Sequence, residues 1–434
     1  MNILFISNDL IAGNLAYLLK KEGHSVKLYI DSKHQRNNFD HLVDKTTNWK
    51  KELEWVGKDG LIIFDDIGYG KIQDRLRKQG YIVYGGNFLS DQLESERQKA
   101  QEIFKENGLI TKEIIDFKNV YEALEYAIAN PKTWVIKQNG SAPKSLNYVG
   151  EFNDGRDIVS VLKSYLIDKT INRTKISLQE RVYGVEIAIA RYFNGENWVG
   201  PVEFNIEHKK FLSGDIGPTT GEMGTLAWYD EKGENTYFYK KTLEKMTLYL
   251  RKIKFKGHFD INCIVNEKNI YPLEITPRFG SPIVHLQSEI HKSPWGELLY
   301  SIAKGENYNL KWNKGFGIVI LVALPPFPYF SRSTKMYSHN PNIFFKNLNE
   351  DDKNHIHFEE VSCYADKIEM YYVSDYRGYV LYVTGMGENP KEAVESTYKR
   401  LRKIIIPKMI YRNDIGKKFI EEDYAKLKKW GYVK

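Results

Sequence analysis

The chain has 434 residues, 42% of them hydrophobic and 27% charged, and its 63 Lys and Arg outnumber 56 Asp and Glu to give a formal net charge of +7. This length exceeds one hydrophobic core and predicts two or three domains or several packed subdomains, while the charge is too evenly dispersed for a nucleic-acid-binding face and favours small anionic substrates. No apolar run is long enough to cross a membrane, and two cysteines, Cys263 and Cys363, exclude a zinc cluster and argue against a disulfide framework.

From the start, the pattern predicts a strand at Asn2 to Ser7, a helix from about Asn14 to Glu22 and a strand at Ser25 to Ile30. Apolar runs at Gly60 to Phe64 and Tyr81 to Tyr84 continue the alternation, which implies an α/β domain with a parallel sheet. The opening has no basic leader or small-residue cleavage site, so it is not read as a signal peptide, and a reducing cytoplasm is the expected location. The loop after the first strand has one glycine, Gly13, where a dinucleotide fingerprint needs three. A charged helical connector is expected over Ser90 to Gly108, with Gly108 ending it. Short strands and helices follow, the strands clearest in TWVIKQNG and ISLQERVYGVEIAIA. A glycine-rich loop at Ser213 to Thr225, a long helix near Thr236 to Lys252 and strands around Asp260 and Glu274 come next. The last segment, from Gly315, carries strands at GIVILVAL, KIEMYYV and YVLYVTG, a helix from about Lys391 to Ile404, and a solvated amphipathic helix at the C-terminus. These divisions predict an N-terminal α/β domain (1–100), a central α+β domain (101–312, with a subdomain at about 112–182) and a mixed C-terminal domain (313–434).

Three features converge on magnesium-nucleotide chemistry. Asp260 and Glu274 lie on strands joined by the turn-prone NEKN, so pairing brings the two carboxylates to one place, and Asn262 shares the face of Asp260. Magnesium takes hard oxygen ligands and few protein carboxylates. Lys137 ends an apolar strand and Lys144 follows in a short loop, a placement that suits phosphate oxygens. GDIGPTTGEMG packs four glycines into eleven residues and exposes backbone N–H groups to an anion or carboxylate. His208, His258 and His285 lie nearby in sequence and are assigned no role.

Together these motifs resemble the phosphoribosylamine–glycine ligases, or glycinamide ribonucleotide synthetases, of the ATP-grasp superfamily. That family's GDTGPNTGGMG is similar to Gly214 to Gly224 here, its IEFNCRFGDPE to Leu273 to Ile283, and its RVLCVTALG and CRKDIG to Tyr379 to Gly387 and Tyr411 to Gly416. The resemblance implies an ATP-grasp ligase of purine biosynthesis, using ATP and Mg2+, with Mn2+ as a substitute, on small carboxylate and amine substrates, as a monomer or homodimer. It implies that Lys137 and Lys144, with Arg97 in place of the connector's usual lysine, meet phosphates. It implies that Gln179, Glu180, Arg181 and Val182 meet adenine, and that Glu186 meets the ribose. Asp260, Glu274 and Thr276 are the implied metal ligands. Asp215, Gly217, Pro218, Thr219, Thr220, Gly221, Glu222, Met223 and Gly224 are the implied carboxylate-substrate site, and Arg278 the group that stabilises the transferring phosphoryl. Lys137, Asp215 and Arg278 are the expected catalytic residues.

The departures define the alternatives. Thr276 replaces a metal-binding asparagine, Glu222 replaces a glycine beside the amino-acid pocket, and SNDLIAGNLA replaces the GGREHA loop that holds the phosphate-bearing amine. A phosphate can still meet the first helix's N-terminus. A paralogous ligase with another amino acid or a nucleotide-like amine stays open, as does a nucleotide-binding regulatory protein without turnover.

Overall fold

The computed structural model describes residues 1–138, 146–168, 171–329 and 340–433. Lys144 lies outside the described residues. The N-terminal sheet consists of β1 (Asn2–Ser7), β2 (Ser25–Ile30), β3 (Asp44–Thr46), β4 (Leu61–Phe64) and β5 (Ile82–Tyr84), all parallel in the order β3-β2-β1-β4-β5. Strand β1 is apolar because both its faces are covered: Ile3 and Phe5 pack in one cluster, Leu4 and Ile6 in another. Chain order reverses at β1, between β2 and β4, which makes the carboxyl ends of β1 and β4 the crevice where such sheets receive ligands.

The expected single connector is two helices, Phe88–Ser95 and Arg97–Glu106, because Glu96 leaves helical geometry at φ −121°, ψ 85°. The second helix is tied to the central domain by Gln101, whose Nε2 donates to the carbonyls of Pro272 (3.2 Å) and Leu273 (3.1 Å). The break therefore sets Arg97 at a helix start, directed at the site. The long helix expected near Thr236 is likewise two, Tyr237–Lys241 and Leu243–Lys252. Thr242 interrupts it, turning its hydroxyl onto the Phe238 carbonyl.

A small antiparallel sheet follows, made of β6 (Ile114–Phe117), β7 (Trp134–Gln138), β8 (Tyr148–Val149) and β9 (Ile176–Glu180) in the order β6-β9-β7-β8. It has its own core, in which Trp134, Ile136 and Leu178 meet Val120 and Leu124 of one helix and Ile158 and Leu162 of another. The stretch read as one strand from Ile176 onward is two: β9 ends at Glu180, and β10 (Val185–Asn194) enters a different sheet.

That sheet continues through β11 (Trp198–Glu207), while β12 (Lys210–Leu212) and β13 (Ile216–Thr219) pair only with each other. The glycine-rich segment is thus partly a β-ribbon. Next come β14 (Gly224–Asp230), β15 (Lys256–Val265), β16 (Ile270–Thr276) and β17 (Phe316–Ala323). Strands β18 (Asn342–Phe345), β19 (Ile356–Phe358), β20 (Val361–Tyr364), β21 (Lys367–Val373), β22 (Tyr379–Gly387) and β23 (Ile404–Ile405) complete the set. The large sheet runs β16-β15-β10-β11-β14-β17-β22-β19, so hydrogen bonding from β14 to β17 crosses the boundary expected at 312/313 without interruption. The segment after β19 also closes over the N-terminal sheet: Asn14 Oδ1 accepts from Phe358 N (2.9 Å), and Phe39 N donates to Val361 O (2.9 Å).

Candidate active site

Between the small sheet and the large one lies a cavity of about 420 Å³. The β15–β16 hairpin closes on the turn Asn266 to Asn269, in which the Asn266 side chain accepts from the N–H groups of Lys268 and Asn269 (both 3.1 Å). This fixes the register: Asn262 stands opposite Glu274, and Asp260 opposite Thr276. On β11, Glu203, Asn205 and Glu207 alternate onto the face that meets Asp260 and Asn262.

At the cavity wall these alternations converge on Lys209. Its Nζ lies 2.8 Å from Glu186, 2.9 Å from Glu207 and 3.3 Å from Glu274. Burial opposes its charge, but the three carboxylates outweigh it and hold the ammonium above the usual lysine range. Arg97 Nη1 is 3.0 Å from the other oxygen of Glu274. Lys137 has the opposite balance: burial, reinforced by Arg97 and Lys209, lowers it to about 7.

The segment expected to meet a base, Gln179 to Val182, lines the same cavity. The side chains of Glu180 and Arg181 are held by neighbours, Lys112 at 2.7 Å and Glu151 at 2.7 Å respectively, which leaves the backbone of this segment at the wall. Val135, Val149, Ile264 and Leu273 supply apolar surface suited to a flat ring.

Of the other expected residues, Asp215, Thr219, Thr220 and Gly221 line the cavity and the rest of the loop does not. Asp215, at a left-handed φ of 56°, accepts from Arg412 at 2.9 Å. Gly217 and Pro218 belong to the outer ribbon, and Met223 is wholly buried. A side chain at Gly224 would stand 2.6 Å from the Val319 carbonyl, so only glycine fits. Glu222, expected beside the amino-acid pocket, turns into the core, where the Thr225 hydroxyl donates to it. Burial and the nearby Glu207 raise it well above the carboxylate range.

Asp260 and Thr276 do not line the cavity. Asp260 sits one residue pair deeper in the sheet, accepting from Asn205 Nδ2 at 3.1 Å, and burial raises it well above its ordinary range. Arg278 does not line it either: it is held by Glu94 (2.7 Å) and Asp66 (3.2 Å) at the junction with the N-terminal domain. His208 is buried, its Nε2 accepting from Gly416 N at 3.2 Å, and burial lowers it to about 4. Glu207 and Lys209, not expected from the sequence, also line the wall, as do Lys418, Phe419 and Asp423, which bring the C-terminal segment to the cavity. That segment is only partly solvated, since Phe419, Leu427 and Tyr432 are buried.

The donor set fits a divalent cation. Glu274 and Glu207 line the cavity; Asn262 does not, but it pairs with Glu274 across the hairpin, its Nδ2 donates to Glu207 at 2.7 Å, and its Oδ1 is a buried oxygen without a partner among the described residues. A hard divalent cation such as Mg2+ takes one or two protein carboxylates and completes its shell with phosphates and water.

Residues 95–284 match the family described as phosphoribosylglycinamide synthetase, ATP-grasp (A) domain. The phosphoribosylamine–glycine ligase of Clostridium acetobutylicum is 23% identical over 360 residues, covering 80% of this chain and 81% of that protein. The Helicobacter pylori ligase of the same name (strain J99) is 24% identical over 399 residues, covering 88% and 86%. Among solved structures, the phosphoribosylamine–glycine ligase of Thermotoga maritima superposes with a TM-score of 0.70 at 19% identity, over 96% of this chain and 100% of that one. The biotin carboxylase domain of Hydrogenobacter thermophilus 2-oxoglutarate carboxylase, solved with MgADP, gives 0.63 at 13% identity, over 100% and 99%. The structural likenesses establish the fold.

Proposed function

We propose that this chain, whose residues 95–284 match the phosphoribosylglycinamide synthetase ATP-grasp domain, is an ATP-dependent ligase that activates a carboxylate as an acyl phosphate and couples it to an amine. The observation that carries the reading is one cavity in which Lys137, Arg97 and Lys209 face Glu186, Glu207 and Glu274 beneath the segment 179–182. The base lies against Ile264 and Leu273, its edge on the backbone of Gln179 to Val182, and Glu186 accepts from the ribose hydroxyls. Lys137 and Arg97 neutralise the phosphates. Mg2+, or Mn2+ in its place, would be held by Glu274, Glu207 and Asn262, and when bound supplies charge neutralisation at the phosphoryl oxygens.

The substrate carboxylate, held by Thr219 to Gly221 beside Asp215, attacks the γ-phosphorus and ADP leaves, giving the acyl phosphate; the neutral amine then attacks the acyl carbon, phosphate leaves, and the amine nitrogen gives up a proton to solvent. Arg278 acts as a positioning residue, locking the connector and the N-terminal domain against β16. Glycine and phosphoribosylamine, the pair named by the relatives, are the first substrates to test, with a place in purine biosynthesis in the cytoplasm as monomer or homodimer. The altered first loop favours a second reading, a ligase with a different amine. ADP release from Mg-ATP, screened over amino acids with and without phosphoribosylamine, separates these readings. Dependence on glycine plus phosphoribosylamine supports the first, dependence on another pair supports the second, and ATP binding without turnover in any combination points to a regulatory protein.

A further inference from the structure

The crevice at the β1/β4 switch point has an unusual charge balance. On its sheet side stand Asp9 after β1, Asp65 and Asp66 after β4, and Glu94 of the connector; across from Asp9, through Arg377, lies Glu360 with Glu359 and Asp375 beside it. The two walls meet at Asp9, whose carboxylate pairs with Arg377 of the second wall. Among the described residues, two guanidiniums answer these carboxyls: Arg278, on Asp66 and Glu94, and Arg377, 3.4 Å from Asp9 and 3.8 Å from Glu360.

Two independent observations bear on what this crevice accepts. The first helix, Gly13–Lys21, has no side-chain cap, but its leading N–H is taken by the protein's own anion: Asp65 Oδ2 accepts from Ala12 N (3.0 Å) and from the Ser7 hydroxyl (2.8 Å). A phosphate at that terminus would compete with a fixed carboxylate. Second, wholly buried oxygens on both walls, Asp65 Oδ1 and Glu360 Oε1, make no hydrogen bond among the described residues. Buried carboxylate oxygens of this kind accept from N–H donors. Burial, with Asp66 beside it, raises Asp65 to about 7, and burial raises Glu359 to about 7; both are carboxyls that a cationic group would hold ionised.

We propose that the crevice between β1, β4 and residues 359–377 receives the amine substrate, and that this amine is a phosphate-free polyamine, one nitrogen reacting and another, protonated, held by the carboxylates. This rests on the ligase reading and narrows its second form. Gly221 links the two sites, since the Tyr379 hydroxyl, between Arg377 and the glycine-rich loop, lies 3.0 Å from where a Gly221 side chain would begin.

The test is calorimetric titration of the full chain, first with Mg-ADP, then with spermidine or ribose 5-phosphate. Spermidine is expected to bind about tenfold more tightly than ribose 5-phosphate. Asp9→Asn and Asp375→Asn, neither of which braces Arg278, are each expected to weaken spermidine about fivefold while leaving Mg-ADP binding and the melting temperature in place. Equal or tighter binding of ribose 5-phosphate, binding of neither, or spermidine binding indifferent to both variants overturns the proposal. Loss of Mg-ADP binding in the unmodified chain instead overturns the ligase reading beneath it.

Discussion

The nucleotide cavity and the crevice of the N-terminal sheet both gather carboxylates, and they balance them in opposite ways. In the cavity, Glu186, Glu207 and Glu274 share Lys209, and Arg97 takes the remaining oxygen of Glu274. In the crevice, carboxyls outnumber guanidiniums, and several are held above their ordinary range by burial. A site with its charges paired is ready for a ligand that exchanges with those charges, as Mg-ATP does. A site with surplus carboxyls favours a ligand that brings positive charge.

The largest expected effect comes from breaking the paired side. Lys209→Met leaves three neighbouring carboxylates without their shared cation and should lower the unfolding free energy by about 3 kcal/mol. Urea unfolding measures this, and millimolar Mg2+ should recover part of the loss, because the freed carboxylates then bind the metal in the folded state alone. On the surplus side, Asp65 is raised to about 7 from an unfolded value near 3.8. Between those values the folded chain keeps a proton that the unfolded chain has lost, so this group's contribution to stability falls as pH rises through the window. Asp65→Asn preserves an acceptor for Ala12 N and removes the titration. It should be more stable than the unmodified chain at about pH 8, by on the order of 2 kcal/mol, with the difference shrinking toward about pH 4. Equal pH slopes in the two proteins would contradict the burial of that carboxyl.

A smaller effect concerns Lys137, lowered to about 7 by burial and by Arg97 and Lys209. Phosphates near it restore its charge, so ATP binding at about pH 8 should take up close to one proton, read from calorimetry in buffers of different ionisation heat. Lys137→Met should abolish that uptake. The smallest effect lies at the rim: Tyr432 donates to the Asn266 carbonyl at 2.8 Å, tying the C-terminal segment to the β15–β16 turn. Tyr432→Phe should cost about 1 kcal/mol of stability.

The same contrast explains what could be read from residues alone. The β-α-β opening and the NEKN hairpin are local patterns and appear where spacing put them, but the register of that hairpin sets Glu274 opposite Asn262 and not beside Asp260, which stands opposite Thr276. Glu207 was legible too, since Glu203, Asn205 and Glu207 alternate through an otherwise apolar strand, and Lys209 follows directly before the glycine-rich loop. The positions of Arg278, Asp260 and Glu222 were not. Each is decided by a partner distant in sequence: Glu94 and Asp66 for Arg278, Asn205 for Asp260, and the core around Thr225 for Glu222. The break at Glu96, which directs Arg97 into the cavity, lies in a run whose composition is helical throughout. The crevice was invisible because its walls come from residues 9–94 and 359–377, which only the closure of the C-terminal segment over the first sheet brings together.

The central claim, that this cavity makes an acyl phosphate, is tested most directly by trapping with hydroxylamine, which replaces the amine whatever its identity. Incubated with Mg-ATP, hydroxylamine and a panel of amino acids led by glycine, the protein should form a hydroxamate in step with ADP, and Lys137→Met should form neither. ADP release without hydroxamate from any carboxylate would contradict the account.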